Sequence, residues 1–393
     1  MSNLVDPKNG VLPSQWIRQA AACGTIISEI PVTPRQIQPN SLDLRLGDFG
    51  YRVQCSFLPG SEGMAGKLDR YNWYTFDIPH DGILLERNQV YIFPLQERLA
   101  LPAQISGRAN PKSTTGRLDI FTRLVTENAT AFDEVPSGYT GTLYLEVIPR
   151  SFAVRIRKGD TLSQIRFQVG SPVLSYEETM AILDTDALIL DRDSRILRSR
   201  DLPVHDGIVL SVNLPRAQQQ TVGYQARRNT PPVDLQATGL SKRRYWDRIH
   251  ADSKPVILEP DEFYIFRSRE LICLPPELCA EMVAFEARSG EVRTHYAGFF
   301  DSGFGYSATE HPSATAAGVV LEVRSRDVPF LIEDGQPIFR INLLRCTEVP
   351  DALYGTRAGS NYQGQRDVRL SRQFSVVDLN EERTETTQIL MEI

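Results

Sequence analysis

The chain carries the stretch Lys112-Ser113-Thr114-Thr115-Gly116-Arg117, which is followed by a strand-like segment, Leu145-Glu146-Val147. A similar stretch, Arg288-Ser289-Gly290-Glu291-Val292-Arg293, precedes Leu321-Glu322-Val323. The two serines lie 176 positions apart, and so do the two glutamates. A cation, a hydroxyl and a carboxylate that keep the same spacing twice indicate that one fold occurs twice in the chain.

The repeat extends beyond these polar groups. The segment 85–93 matches 258–266 in its Leu-Glu and Tyr-Ile-Phe residues, and Lys158-Gly159-Asp160 matches Asp334-Gly335-Gln336. A chain of 393 residues also exceeds the size at which one hydrophobic core usually stops growing. We therefore predict two domains, 1–175 and 206–393, joined by a linker over 176–205, with a closing tail at about 354–372.

The segments between the motifs read as short strands separated by turns. Apolar or alternating runs of strand length occur at 89–93, 142–147, 263–266 and 319–323, with glycine and proline between them. Helical periodicity is scarce: one helix is predicted over 13–22, and another after the capping-box pattern Ser175-x-x-Glu178. The chain is therefore predicted to be mainly β with a few short helices.

Composition restricts the classes of function. The net charge of −6 argues against a nucleic-acid polymer as partner, because polyanions recruit basic proteins, although a few arginines in a cleft can still bind a phosphate group. No apolar run approaches the roughly 20 residues of a membrane helix, and the N-terminus lacks the features of a signal peptide, so a cytoplasmic location is expected. The five cysteines show no C-x-x-C spacing and are predicted to be free, buried thiols.

The two serine blocks are candidates for binding phosphate. A serine hydroxyl, backbone N–H groups and two cations at the start of a turn or helix form a cradle for an anion. A single block of this kind is more simply a turn with solvated cations, but its recurrence before the same acidic strand favours binding. The candidates are Lys112, Ser113, Arg117, Arg288, Ser289 and Arg293.

Two carboxylates in each copy are candidates for chemistry or substrate contact. Glu146 and Glu322 interrupt apolar strands; they either face solvent or, in a closed pocket, act as general base and acid, because desolvation raises a carboxyl pKa. Asp133 and Asp301 precede glycine-containing turns and serve either as turn caps or as contacts to a sugar or within a structural network. The H-x-E and P-C-x-x-C pattern of zinc deaminases is absent from the sequence, and so are the P-loop and dinucleotide-binding motifs.

These motifs together resemble the dCTP deaminases of the dUTPase-like β-barrel superfamily, in a tandem-duplicated, two-domain form. Beside the serine blocks and the two Leu-Glu-Val strands, the resemblance rests on Gln38-Pro-Asn-Ser-Leu-Asp-Leu-Arg-Leu-Gly47, Ala297-Gly-Phe-Phe-Asp-Ser-Gly-Phe304, and the tail from Tyr362-Gln-Gly-Gln365 to Leu370-Ser-Arg372. Taken as two copies, it covers nearly the whole chain. It implies two distorted β-barrels (β-clip or jelly-roll-like), a homotrimer-type assembly with active sites between barrels, and no zinc.

The resemblance also implies catalytic and phosphate-binding roles. Glu146 and Glu322 match the family's catalytic glutamate, which takes a proton from the attacking water and delivers protons to the base and to ammonia. The serine blocks match residues that bind the triphosphate, and Tyr362 and Gln365 belong to a tail that closes over it. Magnesium is expected to accompany the triphosphate rather than to occupy a cage of protein ligands.

A pocket for the base and sugar is implied in the same way. Ala129 and Ala297 match an alanine whose backbone lies against the cytosine, and Asp133 and Asp301 are assigned to the same pocket. Lys112 stands where the family has an arginine, and a lysine cannot form a planar, bidentate contact with phosphate.

The two copies depart from the family pattern in different places. Gly290 replaces a second hydroxyl residue, and the first copy has no closing tail of its own. The second copy has only Pro232-Val-Asp-Leu235 where the first has Ser41-Leu-Asp-Leu44. A composite site is therefore expected, in which one copy supplies the glutamate and the other supplies the serine block and the tail.

The leading hypothesis is hydrolytic deamination of dCTP to dUTP and ammonia, which would feed thymidylate synthesis. The alternatives are a dUTP pyrophosphatase, a bifunctional enzyme that continues to dUMP, and a nucleotide-binding sensor without turnover. The acidic strand residue favours the deaminase over the pure pyrophosphatase, and retention of both glutamates argues against the sensor.

Overall fold

The structure is a computed structural model that describes residues 6, 8–215, 220–250, 255–283, 298–325, 327–356 and 362–375, and the backbone of 292–294. Strands dominate the described residues, and the helices are short. The predicted fold class, mainly β with a few short helices, is confirmed. The four strands predicted from apolar runs are all present, as Val90–Ala100, Thr140–Pro149, Phe263–Ile272 and Ala317–Ser325.

The described residues of the first copy form thirteen strands and three α-helices. The strands are β1 (Gly10–Val11), β2 (Ile26–Ile27), β3 (Leu42–Arg45), β4 (Phe49–Val53), β5 (Asn72–Asp77), β6 (Ile83–Leu85), β7 (Val90–Ala100), β8 (Ile105–Pro111), β9 (Ile120–Thr126), β10 (Glu134–Val135), β11 (Thr140–Pro149), β12 (Val154–Ile156) and β13 (Thr161–Val169). The helices are α1 (Ser14–Ala22), α2 (Gly63–Tyr71) and α3 (Ser113–Gly116).

In the described part of the second copy, fourteen strands and three helices follow. The strands are β14 (Ile189–Leu190), β15 (Ile196–Leu197), β16 (Ile208–Ser211), β17 (Thr221–Ala226), β18 (Val233–Asp234), β19 (Trp246–His250), β20 (Val256–Leu258), β21 (Phe263–Ile272), β22 (Leu278–Val283), β23 (Val292–Thr294), β24 (Phe299–Phe300), β25 (Ala317–Ser325), β26 (Phe330–Ile332) and β27 (Pro337–Arg345). The helices are α4 (Tyr176–Thr185), α5 (Lys242–Tyr245) and α6 (Pro312–Thr315).

The sheets of the two copies have the same topology. The order β5-β4-β7-β11-β9 in the first copy corresponds to β19-β17-β21-β25-β23 in the second. Likewise, β3-β13-β8-β10 corresponds to β16-β27-β22-β24, and the pair β6-β12 to β20-β26. The duplication read from the polar motifs is therefore a duplication of the whole fold.

One sequence match between the copies is wrong. The counterpart of β3 is β16 and not the segment 232–235, because Glu97 accepts a hydrogen bond from the backbone of Arg45 at 2.8 Å and Glu270 accepts the same bond from Ser211 at 2.8 Å. Val233–Asp234 instead forms β18, which pairs in parallel with β12 of the first copy. The second copy thus adds a strand to a sheet of the first.

The two copies share part of their hydrophobic interior. One core cluster combines first-copy residues such as Leu118 and Phe152 with second-copy residues such as Trp246, Phe263 and Ile265. A second cluster lies within the second copy and includes the α4 side chains. Burial of apolar side chains across the boundary stabilises the docking of one copy on the other.

Both predicted helices are present. Helix α1 ends at Ala22 before Gly24, and α4 opens with the predicted capping box between Ser175 and Glu178. Among the described residues, no helix has the length and apolarity needed to cross a membrane. All five cysteines are free, but the prediction that they are buried is wrong for Cys23 and Cys55, which are exposed.

Candidate active site

A cleft of about 660 Å³ lies between the two copies and collects residues from both. The predicted site residues that line it are Lys112, Ser113, Arg117, Asp301, Glu322, Tyr362 and Gln365. The serine block comes from the first copy, whereas the glutamate and the tail come from the second. The sequence hypothesis of a composite site paired the tail with the serine block, but here the tail belongs to the copy that supplies the glutamate.

The serine block of the first copy forms a single helical turn, α3. Lys112 precedes the turn with extended backbone, and its ammonium contacts Asp43 and the hydroxyl of Thr161, the latter at 2.8 Å. Arg117 follows the turn and donates from Nε to the hydroxyl of Ser113 at 3.2 Å. The turn thus places two cations and a hydroxyl at the same wall of the cleft.

The tail of the second copy packs on Arg117. The Tyr362 ring centroid lies 3.5 Å from the guanidinium carbon, and the guanidinium donates to the carbonyl of Arg369 at 2.7 Å and to Gln365 Oε1 at 3.4 Å. Burial lowers the pKa of the Arg117 guanidinium, an effect that the phenol of Tyr362 and the carboxylate of Glu322 oppose. Arg117 is therefore a buried cation held at the contact between the copies.

Glu322 lies directly against the α3 turn of the other copy. A methyl group placed on Gly116 would stand 2.7 Å from the carboxyl carbon of Glu322, whereas carbon atoms in contact are normally 3.5–4.0 Å apart. Only glycine at this position leaves room for the carboxylate. Glu322 is half-buried and lines the cleft, so it is held where a ligand in the cleft would meet it.

Glu146 has a different environment. It is fully buried, does not line the composite cleft, and forms an ion pair with Arg123, whose Nε lies 2.8 Å and whose Nη2 lies 2.5 Å from Glu146 Oε1. The Arg123 guanidinium in turn stacks 3.7 Å from the Phe132 ring centroid. The carboxylate that the repeat pairs with Glu322 is therefore closed off by its own copy.

The difference between the glutamates follows from what covers each sheet. Glu322 pairs across the strands with Ile265, and Glu146 pairs with Ile92, so the two faces are equivalent. The face with Ile265 packs against the first copy, whereas the face with Ile92 packs under α2. Helix α2 thus occupies in the first copy the place that a neighbouring barrel occupies in the second.

The predicted base pocket of the first copy is filled in the same way. The carbonyl of Ala129 accepts a hydrogen bond from the backbone of Gly60 at 3.0 Å, and Met64 and Leu68 of α2 pack in the same cluster as Ala129. Asp133 has a left-handed backbone, with φ of 62°, and its Oδ1 accepts a hydrogen bond from the backbone N–H of Leu124 at 2.7 Å. Desolvation raises the pKa of Asp133 to about 7. Leu124 lies in β9, nine residues before Asp133, so this carboxyl group joins its loop to that strand rather than capping its own turn.

Asp301, its counterpart, lines the composite cleft and is held by an arginine that the sequence reasoning missed. Arg166 of β13 is fully buried; it donates to Asp301 Oδ1 at 2.9 Å and to the carbonyls of Phe300 and Ala280 at 2.8 Å each. Burial raises the pKa of Asp301, although the Arg166 charge opposes this. The sequence contained one signal for this residue, because an arginine between Ile165 and Phe167 interrupts an apolar strand.

Asp43 is a second residue of the cleft that was not among the predicted site residues, although it lies in the motif 38–47. Its carboxyl group is buried, lines the cleft, and has one oxygen, Oδ1, without a hydrogen-bond partner. Four predicted residues cannot be placed in the cleft: Arg288, Ser289 and Ala297 lie outside the described residues, and for Arg293 only the backbone, in β23, is described.

Comparison with known proteins identifies two family models along the chain. The N-terminal domain of 2'-deoxycytidine 5'-triphosphate deaminase matches residues 8–171, and the C-terminal domain of the same family matches 176–374. Together they span nearly all of the described residues. The resemblance to the dCTP deaminase family inferred from the sequence motifs is confirmed.

Individual relatives agree with the family models. A crystal structure of 2'-deoxycytidine 5'-triphosphate deaminase from Agrobacterium tumefaciens is 42% identical, has a TM-score of 0.79, and covers 86% of this chain and 99% of its own. Proteins named "dCTP deaminase, dUMP-forming" from Mycobacterium avium and Mycobacterium tuberculosis are 33% and 32% identical over 126 residues. Each of these two matches spans 31% of this chain and 61% of the relative.

Proposed function

This chain belongs to the 2'-deoxycytidine 5'-triphosphate deaminase family, and we propose that it deaminates dCTP hydrolytically in the cleft between its two copies that holds Glu322. The observation that carries the proposal is the meeting of Glu322 with the α3 turn of the other copy, beneath the tail residues Tyr362 and Gln365. A proton-transfer group and an anion cradle are the two components that this reaction requires.

The phosphate end of the substrate would bind at α3. Lys112, Ser113 and Arg117 offer two cations and a hydroxyl within one turn, and charge-assisted hydrogen bonds to phosphate oxygens are the strong ones. Two other carboxylates that line the cleft, Asp43 and Asp301, already contact Lys112 and Arg166. Magnesium is proposed to arrive with the triphosphate, whose phosphate oxygens are ligands that it commonly binds.

Glu322 is proposed to transfer the protons. It takes one proton from the water whose oxygen forms the new bond to C4 of cytosine, and this proton is delivered to N3. In the second step the C4–N4 bond breaks, the remaining proton of the added hydroxyl passes through Glu322 to the amino nitrogen, and ammonia leaves. Enclosure by two barrels and the tail would hold the carboxylate and the attacking water in position for both steps.

One site per chain is proposed. Glu146 is paired with Arg123, and α2 covers the face on which a second cleft would form. Lys112, Ser113, Arg117, Glu322 and Gln365 all belong to one chain, so none of these groups has to come from a neighbouring chain. Trimer-type assembly and cytoplasmic location stay predictions.

A second candidate concerns the product. The mycobacterial relatives are named dUMP-forming, which favours a bifunctional reaction in which dUTP loses pyrophosphate before release. Incubation with dCTP and magnesium, followed by chromatography and an ammonia assay, distinguishes dUTP from dUMP with pyrophosphate. Unchanged dCTP would instead support the nucleotide-binding sensor.

The assignment of the glutamates is tested by exchanging each for glutamine. Glu322→Gln should lower kcat by at least about 100-fold, the usual contribution of general acid–base catalysis, and should retain dCTP binding. Glu146→Gln should retain turnover and lower the free energy of unfolding by about 1.5–3 kcal/mol, because it weakens a hydrogen bond between charged groups. Full turnover in Glu322→Gln, or loss of turnover in folded Glu146→Gln, would reverse the assignment.

A further inference from the structure

A second cleft, of about 650 Å³, lies between the copies and is rich in arginine. Its lining includes five arginines, Arg87, Arg150, Arg227, Arg228 and Arg324, and two acidic residues, Asp261 and Glu262. It does not share a lining residue with the cleft that holds Glu322. Its volume is within the range of pockets that bind small molecules.

Equivalent turns of the two copies face this cleft. Asn88 and Asp261 occupy matching positions of the repeat, and both have left-handed backbone, with φ of 60°. Asn88 donates its backbone N–H to Pro149, and Asp261 donates to Ser325. These bonds hold both turns to the strands behind them, so the walls of the cleft are ordered by backbone contacts.

Three of the five arginines are engaged by carboxylates. Arg324 forms an ion pair with buried Asp119. Arg228 donates from Nε to Glu262 at 2.6 Å. The Nε of Arg227 lies 2.8 Å from the carboxylate of Asp247. These cations are therefore largely neutralised by the protein.

The other two arginines have no carboxylate partner among the residues that the structure describes. Arg87 donates from Nε to the carbonyl of Arg150 at 3.0 Å, which brings the two residues together. The Nε of Arg150 is buried and has no hydrogen-bond partner. Arg87 thus meets the backbone of Arg150 at this wall of the cleft, and the two residues bring positive charge and directed N–H groups to it.

We propose that this second cleft binds a phosphate-bearing anion, with one phosphate group held between Arg87 and Arg150. Planar guanidinium groups bind phosphate oxygens in a bidentate manner, and two of them supply the charge that a phosphate dianion requires. The site is separate from the proposed deaminase site and does not depend on that function.

Calorimetric titration of the full chain with pyrophosphate tests the proposal. Arg87→Gln/Arg150→Gln should lose one binding event per chain, or weaken it by about 100-fold, since each charged hydrogen bond lost costs roughly tenfold or more. The control Arg98→Gln/Arg200→Gln makes the same change in charge at exposed positions outside both clefts and should bind as the unaltered chain does.

A charge-preserving variant separates binding from folding. Arg87→Lys/Arg150→Lys should retain weakened binding, because lysine keeps the charge but not the fork, and thermal unfolding shows whether each variant is folded. Unchanged pyrophosphate binding in the glutamine variant, or an equal loss in the control, would overturn the proposal. Deamination of dCTP, assayed on the same variants, should be unaltered, so failure of one proposal is distinguishable from failure of the other.

Discussion

Replacement of Gly116 by alanine should disable the proposed active site while leaving the fold intact. Gly116 is the last residue of α3 and is not among the residues with left-handed backbone, so alanine can adopt its conformation. In a helix alanine is even favoured over glycine, by about 1 kcal/mol. The obstacle is Glu322, because the new methyl group would stand 2.7 Å from its carboxyl carbon.

The size of the effect follows from this distance. A normal carbon contact of about 3.5–4.0 Å requires the carboxyl group to move by roughly 1 Å. A misplacement of about 1 Å in a reacting group lowers a rate by about 100-fold, which corresponds to about 2.7 kcal/mol in activation free energy. We therefore expect kcat of Gly116→Ala to fall about 100-fold, with a much smaller change in the free energy of unfolding.

The assay is steady-state release of ammonia from dCTP, with urea denaturation on the same preparations. Gly66→Ala is the matched control: it lies in helix α2, and its added methyl group also meets a glutamate, Glu62, at 2.8 Å from Cγ. Glu62 is partly exposed and can turn toward solvent, so this variant should keep normal turnover. Normal kcat in Gly116→Ala would refute either the packing of Glu322 on α3 or its catalytic role.

Three further predictions address other parts of the site. Arg166→Met should lower the free energy of unfolding by about 3–5 kcal/mol in urea denaturation, because it leaves the buried Asp301 carboxylate without its cation. Gln365→Ala should raise KM for dCTP by about tenfold in steady-state kinetics, since Gln365 joins Arg117 to the carbonyl of Gly318; an unchanged KM would show that the tail does not contribute to binding. The pKa of Asp133 is raised from 3.8 to about 7, so the folded chain binds this proton more tightly than the unfolded chain does. The resulting contribution to the free energy of unfolding is fully present below pH 3.8 and is lost as the pH rises through about 7. In urea denaturation, the midpoint of Asp133→Asn should therefore equal that of the parent chain near pH 4 and be higher than it at pH 8. If the variant and the parent had equal midpoints at pH 8 as well, the pKa shift would be contradicted.

The fold was predictable because its signals are local or repeated. Apolar runs of strand length marked β7, β11, β21 and β25, and the capping box marked the start of α4. The repeat predicted two copies, and the sheets have matching orders. The match of 232–235 to the first copy failed because a three-residue resemblance carries less information than the strand pairing that places β16.

The site was predictable only in part. Residue types at fixed spacing predicted the serine block and both glutamates, but nothing in the two Leu-Glu-Val segments tells which carboxylate faces a cleft. That distinction depends on what covers the sheet, which is α2 for Glu146 and the other copy for Glu322. Asp43 and Arg166 were missed because their significance lies in contacts between segments far apart in sequence.

The ion pair beneath α2 has a consequence for how such a chain can diverge. A barrel that formed the proposed site with copies of itself would have to present both the anion-binding turn and the acidic strand, so selection would act on both in one sequence. Fusion separates the two duties, and the first copy retains a carboxylate at position 146 whose partner is Arg123 rather than a ligand. Joint replacement of a buried ion pair by apolar side chains is often neutral or stabilising. Under the proposed function, Glu146 and Arg123 can therefore be replaced together by hydrophobic residues, whereas Glu322 must be kept for proton transfer.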